Sequence, residues 1–424
     1  MAEEQFFSMF MERLREEVEK LPPQDLTTSF TQHIYAKHWN TCDRCNEPDY
    51  PIIVCDGSPG SSLFSGGLTF WVARAVAHTY VKGTLVKATP DVEVKAGYRL
   101  EGQSFFTKAV ELGALRRAVE EAVKEYGKAF AIYDGSFYLV FLHHRPYIEA
   151  GREALERYVS ELSSLLQLGM KDDVKILGVS KDSDVTYLRA HIILEELLEL
   201  DVPELSYYRS IRQMREKMSE ETKLLLNTDS LRGFLKEIEF DISDEALYDK
   251  LMKDAGFTTP LILAPQTCYA TQEVKMGRRR WNDANLWVRP PETLIPLFKE
   301  IGRLYGLPPI AVTYWKPRHC LRTYRLDVPS NLLGYDAECG DLTSDKFADS
   351  NVVDRMKDLV ATLNWLDREA YGIRPLVDVD EIVRLVRRRY KTAYEPVISE
   401  ELKSHGFDAK PRKRSVREDF MRRY

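Results

Sequence analysis

Two aspartates stand in the same local sequence, each closing an apolar run. They are Asp56 in IIVCDGS (52–58) and Asp134 in FAIYDGS (130–136). A strand that ends in Asp holds the carboxylate at the sheet edge on rigid backbone. The following glycine lets the chain turn or approach a ligand closely, and Ser58 and Ser136 offer hydroxyls to the carboxylate or to a phosphate. Between the two lies LRRAVEEAVKEY, with Glu120 and Glu121, and further on Lys181 ends KILGVS, where it can reach a scissile phosphate or a reacting water. Carboxylates drawn from separate strands and a helix can hold two divalent cations about 3.5–4 Å apart, the spacing that clamps the attacking and leaving oxygens of an in-line phosphoryl displacement. Hard cations, Mn²⁺ or Mg²⁺, favour such oxygen ligands. A single Asp-Gly is turn chemistry. Two copies, each after an apolar strand and with an acidic helix between them, point to a site. Glu120 is preferred to Glu121 as the helical ligand, although a glutamate beside arginines is ordinarily a surface ion-pair residue.

The elements that must position these groups follow from periodicity. A helix is expected over 3–21, with Phe6, Met9, Phe10, Leu14 and Val18 at helical spacing. Residues 51–55 form a short buried strand, and the Gly- and Ser-rich 56–67 a flexible loop. Two strands, 68–81 and 83–97, make a hairpin around Lys82–Gly83. A helix over 106–127, a strand over 129–133, a helix over 154–169 and a strand over 173–183 complete this part. Residues 185–256 turn rich in Leu, Glu, Lys and Arg and read as several helices. Strand-like segments return at 260–274, 284–291 and 309–329, interrupted by a helix near 292–305. Helices over 351–370 and 378–390 follow. No fixed-period repeat is apparent.

Whole-chain properties narrow the class. At 424 residues and 44% hydrophobic the chain can bury a sizeable core. No run of eighteen apolar residues occurs, so no membrane span is expected. The acidic, amphipathic N-terminus does not read as a signal peptide, which places the expected location in the cytoplasm. Six cysteines are too sparse for a disulfide scaffold, and Cys42-x-x-Cys45 lacks the second pair that a structural zinc requires, leaving two free thiols in a loop. Net charge is −6, so a global nucleic-acid signature is absent. Basic residues are nonetheless clustered at Arg278–Arg280, at Arg387–Arg389 and in the last sixteen residues, where seven Lys/Arg face two acids. Such runs can bind phosphates or stand as solvated faces and tails. His143 and His144 in FLHHRP read as surface residues near a strand end.

The order strand, strand, strand, helix, strand, helix, strand over 51–181, with acids at these positions, resembles the RNase H-like nucleases. More specifically, IIVCDGS, Arg116-x-x-x-Glu120, AIYDGSFY, LGVSKDS, the pair IAVTYWK and RTYRLDVP, and the late YGIRPLVDVDE resemble, in that order, the NurA family of prokaryotic nucleases. The resemblance spans about residues 50–390. It implies an α/β fold with an RNase H-like mixed sheet flanked by helices and a helical insertion. The expected organisation is an N-terminal helix and loop (1–50), a first part of the core (51–184), the insertion (185–257), a second part of the core (258–390) and a basic tail (391–424).

It further implies a manganese-dependent nuclease, holding two ions, that cuts single-stranded DNA and degrades ends from the 5′ side. That enzyme would be a homodimer docked on a HerA-type hexameric ATPase in DNA end resection for recombinational repair. Carried over by motif, Asp56, Glu120 and Asp134 are metal ligands, and Lys181 and Tyr314 line the site. Arg325 contacts substrate, or serves structure together with Asp327. The family's late motif usually ends in His; here that position falls on Asp380, which can ligate a cation or merely cap the following helix. Two other readings stand beside this one. One is an adaptor that keeps the shape and the ATPase partner but has weakened catalysis. The other is an RNase H-like nuclease acting on RNA or a hybrid, since a metal site reads phosphate and not sugar.

Overall fold

The structure, a computed structural model, describes residues 2–19, 29–98, 100–138, 151–181, 183–198, 208, 210–228, 231–240, 242–265, 292, 295–319, 322–367 and 373–407. Its strands are β1 (Trp39–Thr41), β2 (Ile52–Leu63), β3 (Leu68–Val81), β4 (Thr84–Tyr98), β5 (Ala129–Asp134), β6 (Val174–Ser180), β7 (Gly256–Thr258), β8 (Leu261–Ile262), β9 (Ile310–Lys316), β10 (Tyr324–Pro329) and β11 (Lys346–Phe347). They form one mixed sheet in the order β1-β7-β9-β10-β6-β5-β2-β3-β4, with β8 joining β9 and β11 joining β8.

β2, β3 and β4 are an antiparallel meander, while β2, β5 and β6 run parallel. This is the strand order expected of an RNase H-like core. The β3–β4 hairpin turns through Lys82 and Gly83, both at positive φ (50° and 77°), the two-residue turn whose twist suits a hairpin.

Parallel neighbours need a crossover. Helices supply it: α1 (Ala2–Glu19) and α2 (Ser29–Ala36) precede the meander, α3 (Gln103–Tyr126) links β4 to β5, and α4 (Arg152–Leu168) lies between β5 and β6. The central strands are covered on both faces, which is why their sequences are near-continuous apolar runs rather than alternating ones. Ile53, Cys55, Ala131 and Tyr133 pack with α3 and α4. Ile52, Val54 and Ile132 pack on the opposite side with α11 (Ser350–Leu366) and α12 (Arg374–Val383).

The described residues between 187 and 251 contain the helices α5 (Tyr187–Leu198), α6 (Ile211–Lys217), α7 (Glu220–Leu226), α8 (Arg232–Glu239) and α9 (Asp244–Leu251). Three of them, α6, α7 and α9, start at serine N-caps: Ser210, Ser219 and Ser243 each accept a backbone N–H from the first turn. Ile193, Met214, Leu226 and Ile238 give the group its own apolar cluster. One buried carboxylate ties it to the sheet. Asp244 accepts from the Leu188 and Arg189 amides (2.9 and 3.0 Å) and from the Tyr314 hydroxyl of β9 (3.0 Å).

Some expectations fail for stated reasons. The Gly- and Ser-rich stretch after Asp56 is not a loop: β2 continues to Leu63, paired with β3 along its length. Its small residues serve close packing, since a Cβ on Gly60 would fall 2.4 Å from the Tyr390 ring. The stretch 309–329 is two antiparallel strands, β9 and β10. The last helix begins earlier than expected, at Arg374 with Pro375 in its first turn, and stops at Val383. A further helix, α13 (Glu395–Ser404), lies inside the stretch expected as a tail; α10 spans Ile295–Tyr305. The strands expected at 284–291 and most of 260–274, along with Arg278–Arg280, His143, His144 and the C-terminal basic residues from 408, lie outside the described residues. Among the described residues no helix is long and apolar enough to cross a membrane.

Asp244→Ala removes the acceptor of three hydrogen bonds and leaves the fully buried Arg189 with less opposing charge. Stranding buried donors costs about 1–3 kcal/mol each in comparable cases. The variant should show a lower urea midpoint, with the helices of 187–251 exchanging amide hydrogens faster than the central strands.

Candidate active site

Parallel pairing aligns Cys55 with Tyr133, so the next residues, Asp56 and Asp134, sit side by side where the two strands diverge. Asp56 Oδ1 accepts from the Gly57 amide at 2.7 Å. Asp134 Oδ2 accepts from Lys181 Nζ at 3.0 Å, because Asp134 pairs with Val179 on β6 and Lys181 follows just past that strand's end.

The third carboxylate comes from α3 and is Glu111. The helix lies close on β2 because its facing residues Ala114, Ala118 and Ala122 are small and buried, and Cys55 Sγ donates to the Glu111 carbonyl at 3.4 Å. Gly57 makes room: a Cβ there would meet Glu111 Oε2 at 3.0 Å and its Cβ at 3.1 Å. Lys108, one turn earlier, donates to Glu111 Oε2 at 2.9 Å and to the Asp134 carbonyl at 3.2 Å.

The electrostatics bind the group together. Burial, then the charges of Asp134 and Asp380, push the Asp56 carboxyl up to about 6, against the Gly57 amide and Lys108, which favour its anion. Burial likewise pushes Glu111 up to about 7; Asp56 and Asp134 add to the rise, and Lys108 opposes it. Lys108 itself is disfavoured as a cation by burial, but the Glu111 charge more than offsets this and holds its pKa above the usual lysine range.

The residues singled out from sequence divide clearly. Asp56, Asp134 and Lys181 are brought together, and Asp380, exposed on α12, is near enough for its charge to act on Asp56. Asp380 lies inside α12, whose N-cap is Ile373, so it does not cap a helix there. Glu120 is not brought to the pair. It is nine residues beyond Glu111, about 13 Å along the helix, and accepts from Arg116 at 2.8 Å on the exposed side. Glu121 pairs with Lys87 of β4.

Ser58 accepts from the Leu385 amide (2.9 Å), fastening β2 to the segment after α12. Ser136 donates to Asp327 at 2.6 Å. Asp327 also accepts from the Phe137 and Tyr138 amides, and Arg325, itself buried, donates to Asp327 at 2.7 Å and to Ser136 at 3.1 Å. Arg325 and Ser136 are therefore engaged in holding the turn after Asp134. Tyr314 is fully buried on Asp244 and does not line the carboxylates.

Sequence reasoning missed Glu111 and Lys108. The available signal was Glu111 opening the stripe Glu111, Ala114, Leu115, Ala118, Ala122, an acid in a buried face.

The NurA domain model matches residues 51–300, more than half of the chain. The chain belongs to the NurA family. The crystal structure of the NurA nuclease from Sulfolobus solfataricus is similar to it over 95% of this chain and 98% of that one, with TM-score 0.50 and 11% identity. A second NurA crystal structure is similar over 94% and 96%, with TM-score 0.40 and 13% identity. Endonuclease V of Ciona intestinalis bound to DNA aligns over 90% and 98%, with TM-score 0.26 and 10% identity. No curated protein matches. The NurA match contains Asp56, Glu111 and Asp134; Asp380 lies beyond it.

A NurA nuclease is expected to use a metal, and the donor chemistry here fits a hard divalent cation: anionic oxygens from within β2, from the end of β5 and from a helix. Each carboxylate is instead engaged internally, by the Gly57 amide, Lys108 or Lys181. Correspondingly, among the described residues no three His, Cys, Asp or Glu side chains stand grouped as a ready metal site. A cation would compete with these lysines.

A carboxyl raised in the folded state favours folding when protonated. That stability is complete below its ordinary value of 3.8 and is lost as pH rises through about 6. Metal-free Asp56→Asn should therefore match wild type in thermal midpoint near pH 4 and exceed it at pH 8. Mn²⁺ added at pH 8 should raise the wild-type midpoint and leave the variant's nearly unchanged.

Proposed function

We propose that this chain is a metal-dependent DNA nuclease whose cation ligands are Asp56, Asp134 and Glu111, with Asp380 as a further ligand from α12. The observation that carries the reading is the placing of Asp56 and Asp134 near a buried Glu111, close enough for the two aspartate charges to help raise the Glu111 carboxyl and for Asp134 to help raise that of Asp56. Clustered acids at this cost to stability are a mark of a functional site. NurA membership and the RNase H-like strand order support the reading.

Bound Mn²⁺ or Mg²⁺, two ions in this reading, would supply Lewis-acid polarisation and neutralise charge on the phosphodiester. The chain's own groups do the rest. β2 and β5 fix the two aspartates on rigid backbone. Asp327, with Arg325 and Ser136, holds the turn after Asp134. Lys181 and Lys108 balance the carboxylates without metal, and once displaced they leave cationic heads beside a phosphate. The exposed Arg387–Arg389 following α12 provides positive charge for the DNA backbone.

Family resemblance supports the finer features of the proposal: 5′–3′ exonuclease and single-strand endonuclease activity, a homodimer, and work with a HerA-type hexameric ATPase in end resection for recombinational repair. The adaptor reading has one observation on its side, the ion pair between Lys108 and Glu111.

End-labelled single- and double-stranded DNA, incubated with Mn²⁺, Mg²⁺ or EDTA and with or without the ATPase, tests the proposal. Asp56→Asn and Glu111→Gln should each lower cleavage by about 100-fold or more, while Glu120→Gln stays within about threefold of wild type. No cleavage under any condition, with ATPase binding intact, would favour the adaptor.

A further inference from the structure

β4 is the last strand of the sheet, and its two faces are patterned in opposite senses. One face is charged and fastened to the helices above it: Lys87 to Glu121, Asp91 to Arg117, Glu93 to Arg157 and Lys95 to Glu153. The other face carries Ala88, Pro90, Val92, Val94, Ala96 and Tyr98, apolar without exception and all exposed. Val92, Val94 and Tyr98 are 57%, 59% and 64% exposed. On the neighbouring β3 the same face is covered, with Val72 lying under Leu385 and Tyr390. Among the described residues the cover stops at β4. An apolar strip of this length on a sheet edge calls for a partner.

The chain carries a second apolar surface of matching kind. α1 exposes Phe6, Phe7, Phe10, Leu14 and Val18, at 70%, 65%, 56%, 42% and 55%, spaced along one side of the helix. Its eighteen residues make about 27 Å of helix. The face from Ala88 to Tyr98, at about 3.4 Å per residue, is long enough to seat it.

Topology decides which copy of α1 can do so. α1 is joined through residues 20–28 to α2, which leads directly into β1. β1 and β4 are the two ends of the sheet path, eight strand spacings apart, or roughly 38 Å. The ten Cα steps from Glu19 to Ser29 span at most about 36 Å when fully extended. Moreover, Ile34 and Tyr35 of α2 pack with the α3 side of the sheet, whereas the apolar face of β4 looks to the other side. A chain's own α1 is thus poorly placed to cover its own β4.

We infer that α1 of one protomer docks on the apolar β4 face of a second copy, and that reciprocal exchange about a twofold axis closes the pair. Each protomer then loses both of its bare apolar surfaces in one symmetric contact. This deepens the homodimer proposed above by naming its surfaces, and it does not depend on nuclease activity.

The test is mass by light scattering on the full chain at tens of micromolar, for wild type, Val92→Glu/Val94→Glu and Phe10→Glu/Leu14→Glu. All altered side chains are exposed, and circular dichroism checks that folding is unchanged. Wild type should run at twice the chain mass, and each double variant at the single mass, with dimerisation weakened at least 100-fold.

Cysteine pairing adds a second readout in a background with Cys45, Cys268, Cys320 and Cys339 changed to Ser, which keeps only the buried Cys42 and Cys55. Phe10→Cys and Val92→Cys chains, mixed, should form a disulfide-linked pair that neither forms alone. A monomeric wild type overturns the inference. A dimer that survives both double variants also overturns it, while leaving the proposed homodimer in place. A Phe10→Cys/Val92→Cys chain that oxidises only within itself, as a monomer, shows that α1 covers its own β4 and overturns the exchange.

Discussion

The structure is organised around an electrostatic conflict: where a parallel strand pair ends, Asp56 and Asp134 lie near enough to the buried Glu111 for their charges to act on it, without closing into a ready metal site among the described residues. The sheet places Asp56 and Asp134 side by side by register alone, and α3 brings Glu111 over Gly57. Such a group is stable only if its charge is answered. In the metal-free fold the answer is Lys108 on Glu111 and Lys181 on Asp134, while burial raises the carboxyls of Asp56 and Glu111 above the usual carboxylate range. Much of the surrounding architecture holds that group in place. Alanines let α3 approach β2. Glycine and serine in the second half of β2 let Tyr390 pack closely. Arg325 and Asp327, buried as an ion pair, fasten the turn after Asp134.

A lysine in a carboxylate cluster has two consequences. It lets the chain fold without a cation, because a full set of unpaired buried anions would otherwise be strongly destabilising. It also sets a threshold, since a cation must compete with an amine already in hydrogen-bonding contact with Glu111. Protonation raises the same threshold, because ligands must be deprotonated to bind metal. Metal affinity should therefore weaken as pH falls through the range in which Asp56 and Glu111 protonate.

How much of this could be read from the sequence varies with the range of the interactions. The Asp-Gly-Ser pair was legible because each follows an apolar run, a local signal, and the hairpin around Lys82–Gly83 and the helices flanking β5 were legible from periodicity in the same way. The length of β2 was not legible, because glycine and serine signal turns unless a neighbouring strand and a distant tyrosine use their small size. Glu120 is favoured over Glu121 by sequence for its place on the helix between the two Asp strands, but the buried face of α3 is set by its contact with β2, and there an acid, Glu111, is the exception. Tyr314 and Arg325 stood in motifs, and motifs do not distinguish a side chain that lines a site from one that holds the scaffold behind it. The charged and apolar faces of β4 are plain in its alternation, yet which face lies under the helices is a tertiary fact.

The most direct measurement is anomalous diffraction at the manganese edge from crystals of the full chain grown with Mn²⁺ and a short uncleavable single-stranded DNA. The account predicts density between Asp56 and Asp134, with Glu111 turned from Lys108 toward the ion and a phosphate alongside. Density elsewhere, on Glu120 or on the His143–His144 pair, or its absence at saturating Mn²⁺ with Lys108 still on Glu111, would contradict it.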